Sequence, residues 1–304
     1  MARADSSPLM AVAGAGGFVG KRLVLRLARE GVAIRALMRR RAAPIADEQV
    51  ASFDLADPAV IEGAALEGVQ TAYYLVHAMS EGADFAARDR EYARRFAAAV
   101  RRAKVPLVIY LGGLYPRAAT RLSPHLQSRR EVGEILMGEC GAMVVRAGIL
   151  MGRGSAAFEI MRSLVSHLPI MITPRWVSSR CQPIYAGDAI EALARARVLP
   201  AAREVDLAGP DVLSYRAMME ATARELGLHR LIIPMPVFSS SLSSHWLRFI
   251  TKVPLPVARA LVESLHQDAV ADGPDLCAEV GVNPIGFGAA LRRSLAERGA
   301  DGVD

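Results

Sequence analysis

Apolar and polar positions along this chain alternate between two rhythms. Short runs of consecutive apolar residues are separated by stretches in which apolar residues recur every three to four positions. The run 9–13 (Leu-Met-Ala-Val-Ala) has the length and continuity of a strand buried on both faces. Gly14-Ala15-Gly16-Gly17-Phe18-Val19-Gly20 follows at once. Residues 21–30 then show helical spacing that stops at Gly31, and residues 32–37 read as a second strand. A short third strand ends at Phe53-Asp54-Leu55, a fourth covers 71–76 and a fifth 106–111. Between the last two lies a long arginine-rich helix over 84–103, whose charged face is expected to be solvated. Strands and helices in strict alternation predict an α/β chain with a Rossmann-type, doubly wound parallel sheet. Ligands on such sheets lie beyond the carboxyl ends of the strands. The loops after residues 13, 37, 53, 76 and 111 are therefore expected to border a site.

The spacing Gly14, Gly17, Gly20, set between a strand and a helix, has a physical logic. Gly14 allows the tight turn out of the strand. Gly17 lets the backbone approach a pyrophosphate with no Cβ in the way, and Gly20 lets the helix pack close to the sheet. The helix N-terminus presents free N–H groups and partial positive charge to phosphates. Gly14, Gly16, Gly17, Phe18 and Val19 are the expected contacts of a dinucleotide. Its type is read at the end of the second strand. NAD sites place a carboxylate there, and NADP sites an arginine for the 2′-phosphate. Here Met38-Arg39-Arg40-Arg41 follows the strand, with no acid before Asp47. The expected cofactor is NADP(H), with Arg39 as the first contact and Arg40 as the second.

The loop resembles that of the extended and atypical short-chain dehydrogenase/reductases, which reads like Gly-Ala-Thr-Gly-Phe-Ile-Gly. Gly16 stands in the Thr place and Val19 in the Ile place. The likeness extends to residues 144–152 (Val-Val-Arg-Ala-Gly-Ile-Leu-Met-Gly), similar to a Leu-Arg-Pro-Gly-x-x-x-Gly strand and loop, and to residues 180–188, similar to an Arg-Pro-Ile-x-x-x-Asp segment. It covers roughly residues 8–200 and is nearest to the NmrA-like, NAD(P)H-binding, nucleoside-diphosphate-sugar epimerase-like group. The resemblance implies that Asp54 and Leu55 meet the adenine, although Asp54 also reads as a cap for the segment after Pro58. It further implies that Val76 and His77 wrap the middle of the cofactor, and that Ala147 and Gly148 lie beside the nicotinamide. A dinucleotide-binding core over 8–150 and a smaller, mixed C-terminal substrate lobe over 151–304, with elements returning to the core, are what it implies for the domains.

Most relatives in that superfamily work with Ser, Tyr and Lys. This chain has three lysines, Lys21, Lys104 and Lys252, and the residues four positions earlier are Gly17, Val100 and Arg248, so no Tyr-x-x-x-Lys exists. Gly112-Gly113 stands where the serine belongs. Set against the family's Tyr-x-x-Ser-Lys, His125 falls on the tyrosine and Arg129 on the lysine, with Arg130 beside it. His125 is then a candidate proton donor, Arg129 the positive charge near the ribose, and Tyr115 another candidate donor. The leading expectation is an NADP(H)-dependent oxidoreductase acting on an apolar carbonyl or enone. The alternatives are a non-catalytic nucleotide-binding regulator or assembly factor, and an isomerase or cyclase without net redox change.

The remaining features narrow the class further. Over its 304 residues the chain is 52% hydrophobic and 22% charged, which is ordinary for a globular protein. No apolar run reaches the length of a membrane span, and no secretory apolar core precedes the first strand, so a cytoplasmic protein is expected. The net charge of +6 comes from arginines scattered over many helices, which argues against nucleic acid as a partner. Cys140, Cys181 and Cys277 are too dispersed for a disulfide framework or a metal site and read as packing residues. The second half is richer in proline and methionine. Met161, Met171 and Trp176 are expected in an apolar pocket or in the core. Residues 244–250 and 257–265 read as short, partly apolar helices that pack on the core, with docking on a partner or a membrane surface as the alternative, and residues from 296 onward as a frayed tail.

Overall fold

The computed structural model describes residues 8–39, 50–62, 64–79, 82, 84–235 and 253–297. Strand β1 (Leu9–Ala13) leads through the glycine turn into helix α1 (Phe18–Ala28). Then come β2 (Ala33–Met38), β3 (Val50–Ser52), β4 (Val69–Tyr74), α2 (Phe85–Arg102), β5 (Leu107–Gly113), α3 (Pro124–Cys140) and β6 (Met143–Ala147). The second half contributes β7 (Leu150–Met151), α4 (Ala156–His167), β8 (Ile170–Pro174), β9 (Arg180–Cys181), β10 (Ile184–Tyr185) and α5 (Ala186–Arg195). The chain then runs through β11 (Glu204–Leu207), β12 (Leu213–Ser214), α6 (Tyr215–Glu225), β13 (Leu231–Met235), α7 (Leu255–Ser264), α8 (Leu276–Glu279) and α9 (Phe287–Ala296).

Seven strands form one parallel sheet in the order β11-β6-β5-β4-β1-β2-β3. The order reverses at β1, which places the glycine turn at the topological switch point where open α/β sheets bind ligands. Met10 and Val12 of β1 pack with Leu23, Val24 and Leu27 of α1 and with Leu193 of α5 on one face. Ala11 and Ala13 pack on the other face with Phe96 of α2 and Val132 and Leu136 of α3. Burial on both faces explains why the strand reads as an unbroken apolar run. The doubly wound parallel sheet expected from the sequence is present. The last strand, β11, comes from beyond residue 200 and closes the edge beside β6.

A separate apolar cluster lies in the second half. It joins Phe158 and Met161 of α4, Met171 of β8, Met218 and Met219 of α6, and Phe287 and Leu291 of α9. Met161 and Met171 are therefore core residues, as one of the two expectations had it. Three two-stranded pairings, β10 with β7, β12 with β9 and β13 with β8, organise this part.

A buried ion-pair cluster ties the returning C-terminal segment to the sheet. Arg146 of β6 is fully buried. It grips Asp206 of β11 with two hydrogen bonds, from Nε (2.7 Å) and Nη2 (2.8 Å). It also donates to the Tyr115 carbonyl (2.9 Å) and to Asp272 Oδ1 (2.6 Å). Asp206 in turn accepts the backbone N–H groups of Asp272 (2.9 Å) and Gly273 (2.7 Å). A buried bidentate pair of this kind pins the returning segment 272–275 against the sheet edge. Nearby, residues 182–183 thread between two glycines. A Cβ on Gly148 would overlap the Gln182 carbonyl oxygen, and one on Gly209 would overlap that of Pro183.

The C-terminal end is tied down. Glu297 accepts from Tyr185 Oη (3.0 Å), the Arg153 N–H (3.0 Å) and Arg22 (3.4 Å), so the expected fraying does not begin at residue 296. The charged side of α2 is only partly solvated. Arg95 donates to the carbonyls of Leu55 (2.7 Å) and Ala56 (2.6 Å), and Arg90 pairs with Glu131 of α3 (2.8 Å). The three cysteines are unbridged, Cys181 and Cys277 are buried, and burial pushes each of these two thiols up to about 12, as packing residues require.

Breaking a buried ion pair from one side leaves an uncompensated charge and costs about 3–5 kcal/mol. Arg146→Met is expected to lower unfolding free energy in urea by about that much. Neutralising the surface pair Arg216–Glu220 with Glu220→Gln should shift it by less than about 1 kcal/mol. Equal effects of the two variants would show that the buried pair is not what holds segment 272–275.

Candidate cofactor cleft

Gly14 has φ +84°, a left-handed backbone, and a Cβ there would stand 2.9 Å from the Leu75 carbonyl oxygen at the end of β4. A side chain is thus excluded twice over, by conformation and by contact. Gly17 is the N-cap of α1, in extended conformation, and its own N–H bonds to the Gly14 carbonyl at 3.0 Å. Gly20 sits one turn into the helix. A Cβ on it would overlap the Gly14 carbonyl oxygen and lie 2.7 Å from Ala15 Cα. The close approach expected of Gly20 is therefore made to the glycine turn itself rather than to the sheet. The helix start has no side-chain cap and no acid in its first turn, so its amide groups face outward beside the turn.

These residues border a cleft of about 710 Å³. Ala13, Gly14, Gly16 and Gly17 line it with Leu37, Met38 and Arg39 after β2, Phe53, Asp54 and Leu55 after β3, Leu75, Val76 and His77 after β4, and Tyr92 of α2. Of the sequence candidates, Gly14, Gly16, Gly17, Arg39, Asp54, Leu55, Val76 and His77 are brought together here. Arg40 lies outside the described residues. Among the described residues, Phe18, Val19, Ala147 and Gly148 do not line the cleft. The Phe18 ring lies under the loop after β7, 3.4 Å from where a Cβ on Gly152 would be, and stacks with Arg22 at 4.1 Å. Ala147 is buried in the sheet, its carbonyl accepting the Leu114 N–H at 2.8 Å. Gly148 has the packing reason given above.

Asp54 accepts the Ala56 N–H at 3.0 Å, and the cap on the turn after Pro58 is Asp57, which takes the Ala59 N–H at 2.9 Å. The capping role open to Asp54 in the sequence thus belongs to its neighbour, and Asp54 turns toward the cleft. Arg95, reaching from α2 to the Leu55 and Ala56 carbonyls, fixes this loop from behind. The loop after β4 has a similar anchor. Buried Asp89 of α2 accepts the Ala78 N–H (2.7 Å) and the Ser128 hydroxyl (2.8 Å) of α3. Neither Asp89 nor Arg95 stands out in the sequence, because both lie in a helix whose periodicity assigns only its apolar face.

His125 and Arg129, on the first turns of α3, stand beside Val76 and His77. Arg129 donates to the Val76 carbonyl (3.3 Å) and the Leu111 carbonyl (2.6 Å), and its guanidinium lies 5.2 Å from the Tyr110 ring. It ties the carboxyl ends of β4 and β5 and holds a positive charge there. His125 is partly buried, and its Nδ1 is shut from solvent without a hydrogen-bond partner. Burial first, and then the charges of Arg129 and His77, lower its pKa to about 3. At neutral pH it is an uncharged imidazole, not the imidazolium that a simple histidine acid would be, and Nε2 is the nitrogen left to meet a bound molecule. Tyr115 takes another position. Its backbone follows β5, but its ring lies 5.2 Å from the Arg146 guanidinium and covers the buried ion pair.

A nearly all-apolar crevice of about 60 Å³ lies among α4, α6 and α7. Ile149, Phe158, Met161, Met218, Met219 and Leu261 are among its lining residues, and Tyr215 supplies its one hydroxyl. Helix α7 links the crevice to α3: Leu261 and Val262 face the crevice, while Ser264 Oγ meets Ser123 Oγ at 2.9 Å, two residues before His125. The Trp176 side chain, expected in such a pocket, lies outside the described residues.

Residues 10–131 match the model of the NAD dependent epimerase/dehydratase family. No curated protein matches the sequence. Among solved structures, the chain is similar to a UDP-glucose 4-epimerase of Thermotoga maritima, with 12% identity, a TM-score of 0.70 and coverage of 94% of this chain and 97% of that one. It is similar to a nucleoside-diphosphate-sugar epimerase of Staphylococcus aureus, with 13% identity, a TM-score of 0.71 and coverage of 93% and 99%. A third is the NAD dependent NDP-hexosamine 5,6-dehydratase TunA of tunicamycin biosynthesis, with 13% identity, a TM-score of 0.69 and coverage of 95% and 97%. At these identities the structures speak for the fold. The family match is confined to residues 10–131, the part of the chain that carries the glycine turn and the cleft.

Proposed function

We propose that the protein is an NADP(H)-dependent oxidoreductase that acts on an apolar carbonyl or enone. One observation carries the cofactor reading. The cleft gathers the glycine turn, the uncapped start of α1 and Arg39, and no acid follows β2 in the sequence before Asp47. The missing Cβ atoms leave room for a pyrophosphate beside free amide groups. A guanidinium at the adenosine end pairs with a 2′-phosphate that an acid would repel. When bound, the dinucleotide supplies a hydride. The rest is the work of the chain's own side chains.

His125 is the proposed proton donor, acting through a neutral N–H. Arg129 makes the imidazole a weaker base and places positive charge where a carbonyl oxygen would gain negative charge. Arg129 is a positioning residue in this reading, since its guanidinium is bonded to the Val76 and Leu111 carbonyls. The crevice beside Ile149 supports an apolar substrate, because its lining offers a sugar hydroxyl few partners. A second reading has its own support. The engagement of Arg129 with backbone carbonyls, and the lack of any Tyr-x-x-x-Lys, favour a protein that holds the nucleotide without turning it over.

Calorimetry is expected to show NADPH binding more tightly than NADH. Arg39→Ala should weaken NADPH binding by about tenfold or more, which is about 1.4 kcal/mol, and leave NADH nearly unchanged. Equal loss for both nucleotides would remove Arg39 from the 2′-phosphate. Oxidation of NADPH should follow addition of members of a panel of hydrophobic aldehydes, ketones and enones, and drop steeply in His125→Gln. NADPH binding without turnover of any of them would leave the second reading.

The lowered pKa of His125 sets a pH dependence. Between about pH 6.5 and 3 the unfolded chain takes up a proton that the folded imidazole refuses, so stability falls as pH drops through that window. Nuclear magnetic resonance should show no titration of His125 between pH 5 and 8. His125→Gln should lose less stability than wild type between pH 7 and 4, as read from urea midpoints. A normal titration near neutrality would overturn both the buried setting of this ring and its role as a neutral donor.

A further inference from the structure

The loop from β5 to α3, residues 114–123, has no helix or strand and buries only Leu114 and Tyr115. Apolar packing therefore fixes little of its second half, although that half delivers the chain to His125. Polar partners hold it instead, and residues 264–272 supply one at each end and one in the middle. Asp272 accepts the Arg117 N–H (3.0 Å) and pairs with the Arg117 guanidinium (3.2 Å), which also pairs with Glu204 of β11. Gln267 donates its side-chain amide to the Arg121 carbonyl. Ser264 Oγ meets Ser123 Oγ at 2.9 Å. The two stretches run antiparallel, with Arg117, Arg121 and Ser123 set against Asp272, Gln267 and Ser264.

The segment is itself anchored on its far side. The Ala269 N–H donates to the Arg180 carbonyl (2.7 Å), and the Ala269 carbonyl accepts the Gln182 N–H (3.0 Å). The Ala271 N–H donates to Gln182 Oε1 (3.0 Å), and Asp268 accepts the Arg180 N–H (2.8 Å). With Asp272 bonded to buried Asp206, the segment is fixed to β9 and to the sheet edge, and the loop hangs from it. The bond at the α3 end has a defined sense. Ser264 gives its one hydroxyl proton to the Ala260 carbonyl (2.9 Å), so in the serine pair Ser123 is the donor and Ser264 the acceptor. Ser123 Oγ keeps a lone pair for the Leu126 N–H (3.3 Å), which is the N-cap bond of α3. The cap that starts α3 is thus oriented from α7.

We propose that residues 264–272 form a strap that sets the start of α3, with Ser264 and Gln267 as positioning residues for His125. The inference rests on the reading of His125 as proton donor for its effect on turnover, while the strap itself is a property of the fold. A proton donor must stand within hydrogen-bond reach of the atom it serves, and a displacement of about 1 Å can cost about 100-fold in rate. Among the described residues, none of 264–272 lines the cofactor cleft. The strap therefore acts on the place of His125 and not on the affinity for the nucleotide.

The test uses the full chain carrying Ser264→Ala together with Gln267→Ala. Hydrogen exchange of the Leu126 amide should speed about tenfold, since two hydrogen bonds of the strap are lost. The titration of His125, followed by nuclear magnetic resonance, should rise from about 3 toward the ordinary histidine value as the α3 start opens to water. Arg129 of α3 and His77 of the loop after β4, the charged groups that lower it, are untouched by these substitutions. NADPH calorimetry should match wild type, while kcat on a carbonyl found in the panel should fall about tenfold or more with KM for NADPH unchanged. Ser264→Thr, which keeps the hydroxyl, should behave as wild type. If the double variant fails to fold, Gln267→Ala alone should show the exchange and titration changes in smaller measure. Leu126 exchange and His125 titration as in wild type, in a folded variant, would overturn the strap, and so would weakened NADPH binding with His125 unmoved. A wild type that turns over no carbonyl removes the donor reading of His125, and the two substrate-free measurements still decide the strap.

Discussion

The cleft depends on one steric constraint, the approach of α1 to the turn that precedes it. The chain must leave β1, reverse direction and start a helix within four residues, Gly14 to Gly17. This is possible only if the helix passes over the turn with nothing between them. Gly20 has no room for even one carbon beside the Gly14 carbonyl, and Gly14 has none beside Leu75. The two exclusions act in series: Gly14 fixes the turn against β4, and Gly20 fixes the helix against the turn. The amide groups at the start of α1 are thereby aimed across the ends of β1, β2 and β4. The loops after β3 and β4 that also line the cleft are each braced by a side chain of α2, Arg95 for residues 55–56 and Asp89 for residue 78.

Arginine braces this fold at two buried places, and its planar, multidentate shape decides how. A lysine at position 129 would be a mobile point charge able to reach a ribose. Arg129 is planar and multidentate, and it uses that shape to bind two backbone carbonyls from adjacent strands. It is therefore held at a fixed distance from His125, where its charge acts through the field rather than by contact. Arg146 uses the same geometry for a different end. Its fork matches the Asp206 carboxylate, and its remaining N–H groups donate to Asp272 of the returning segment and to the Tyr115 carbonyl. Such a pair is poor evidence of net stability, since both charges had to leave water. Its value is in register: it admits one arrangement of β6, β11 and segment 272–275.

The parts of this architecture that were legible in the sequence are those decided within a few residues. The turn Gly14–Gly20 declares itself because each glycine answers a local need, and the buried parallel strands because burial on both faces forces unbroken apolar runs. The positions of Arg39, Asp54 and Val76 follow from the same rule, as each ends a strand on the ligand side of the sheet. What stayed hidden depends on distant partners. Arg146 and Asp206 are 60 residues apart, and nothing in either neighbourhood announces the other. Asp89 looks like one more charge in an amphipathic helix until the loop after β4 is seen to need an acceptor. Tyr115 looked available as a proton donor because a sequence does not show which way a loop side chain turns, and it turns onto Arg146. The strands from β7 onward are two to five residues long, too short for any periodicity to emerge.

His125 shows how site chemistry depends on such unseen partners. From composition alone a histidine near a cofactor suggests a group that titrates at neutral pH. Burial first, and then the neighbouring Arg129 and His77, remove that possibility, leaving an uncharged ring across the physiological range. A neutral donor of this kind is the weaker acid, and it transfers a proton usefully only if the oxygen it meets becomes strongly basic at that moment. Hydride delivery to a carbonyl produces such an oxygen. Holding a sugar nucleotide in its ground state does not. The proposed reading therefore asks of the α3 start that charge develop on one oxygen facing His125, since a neutral imidazole gives up a proton to nothing weaker.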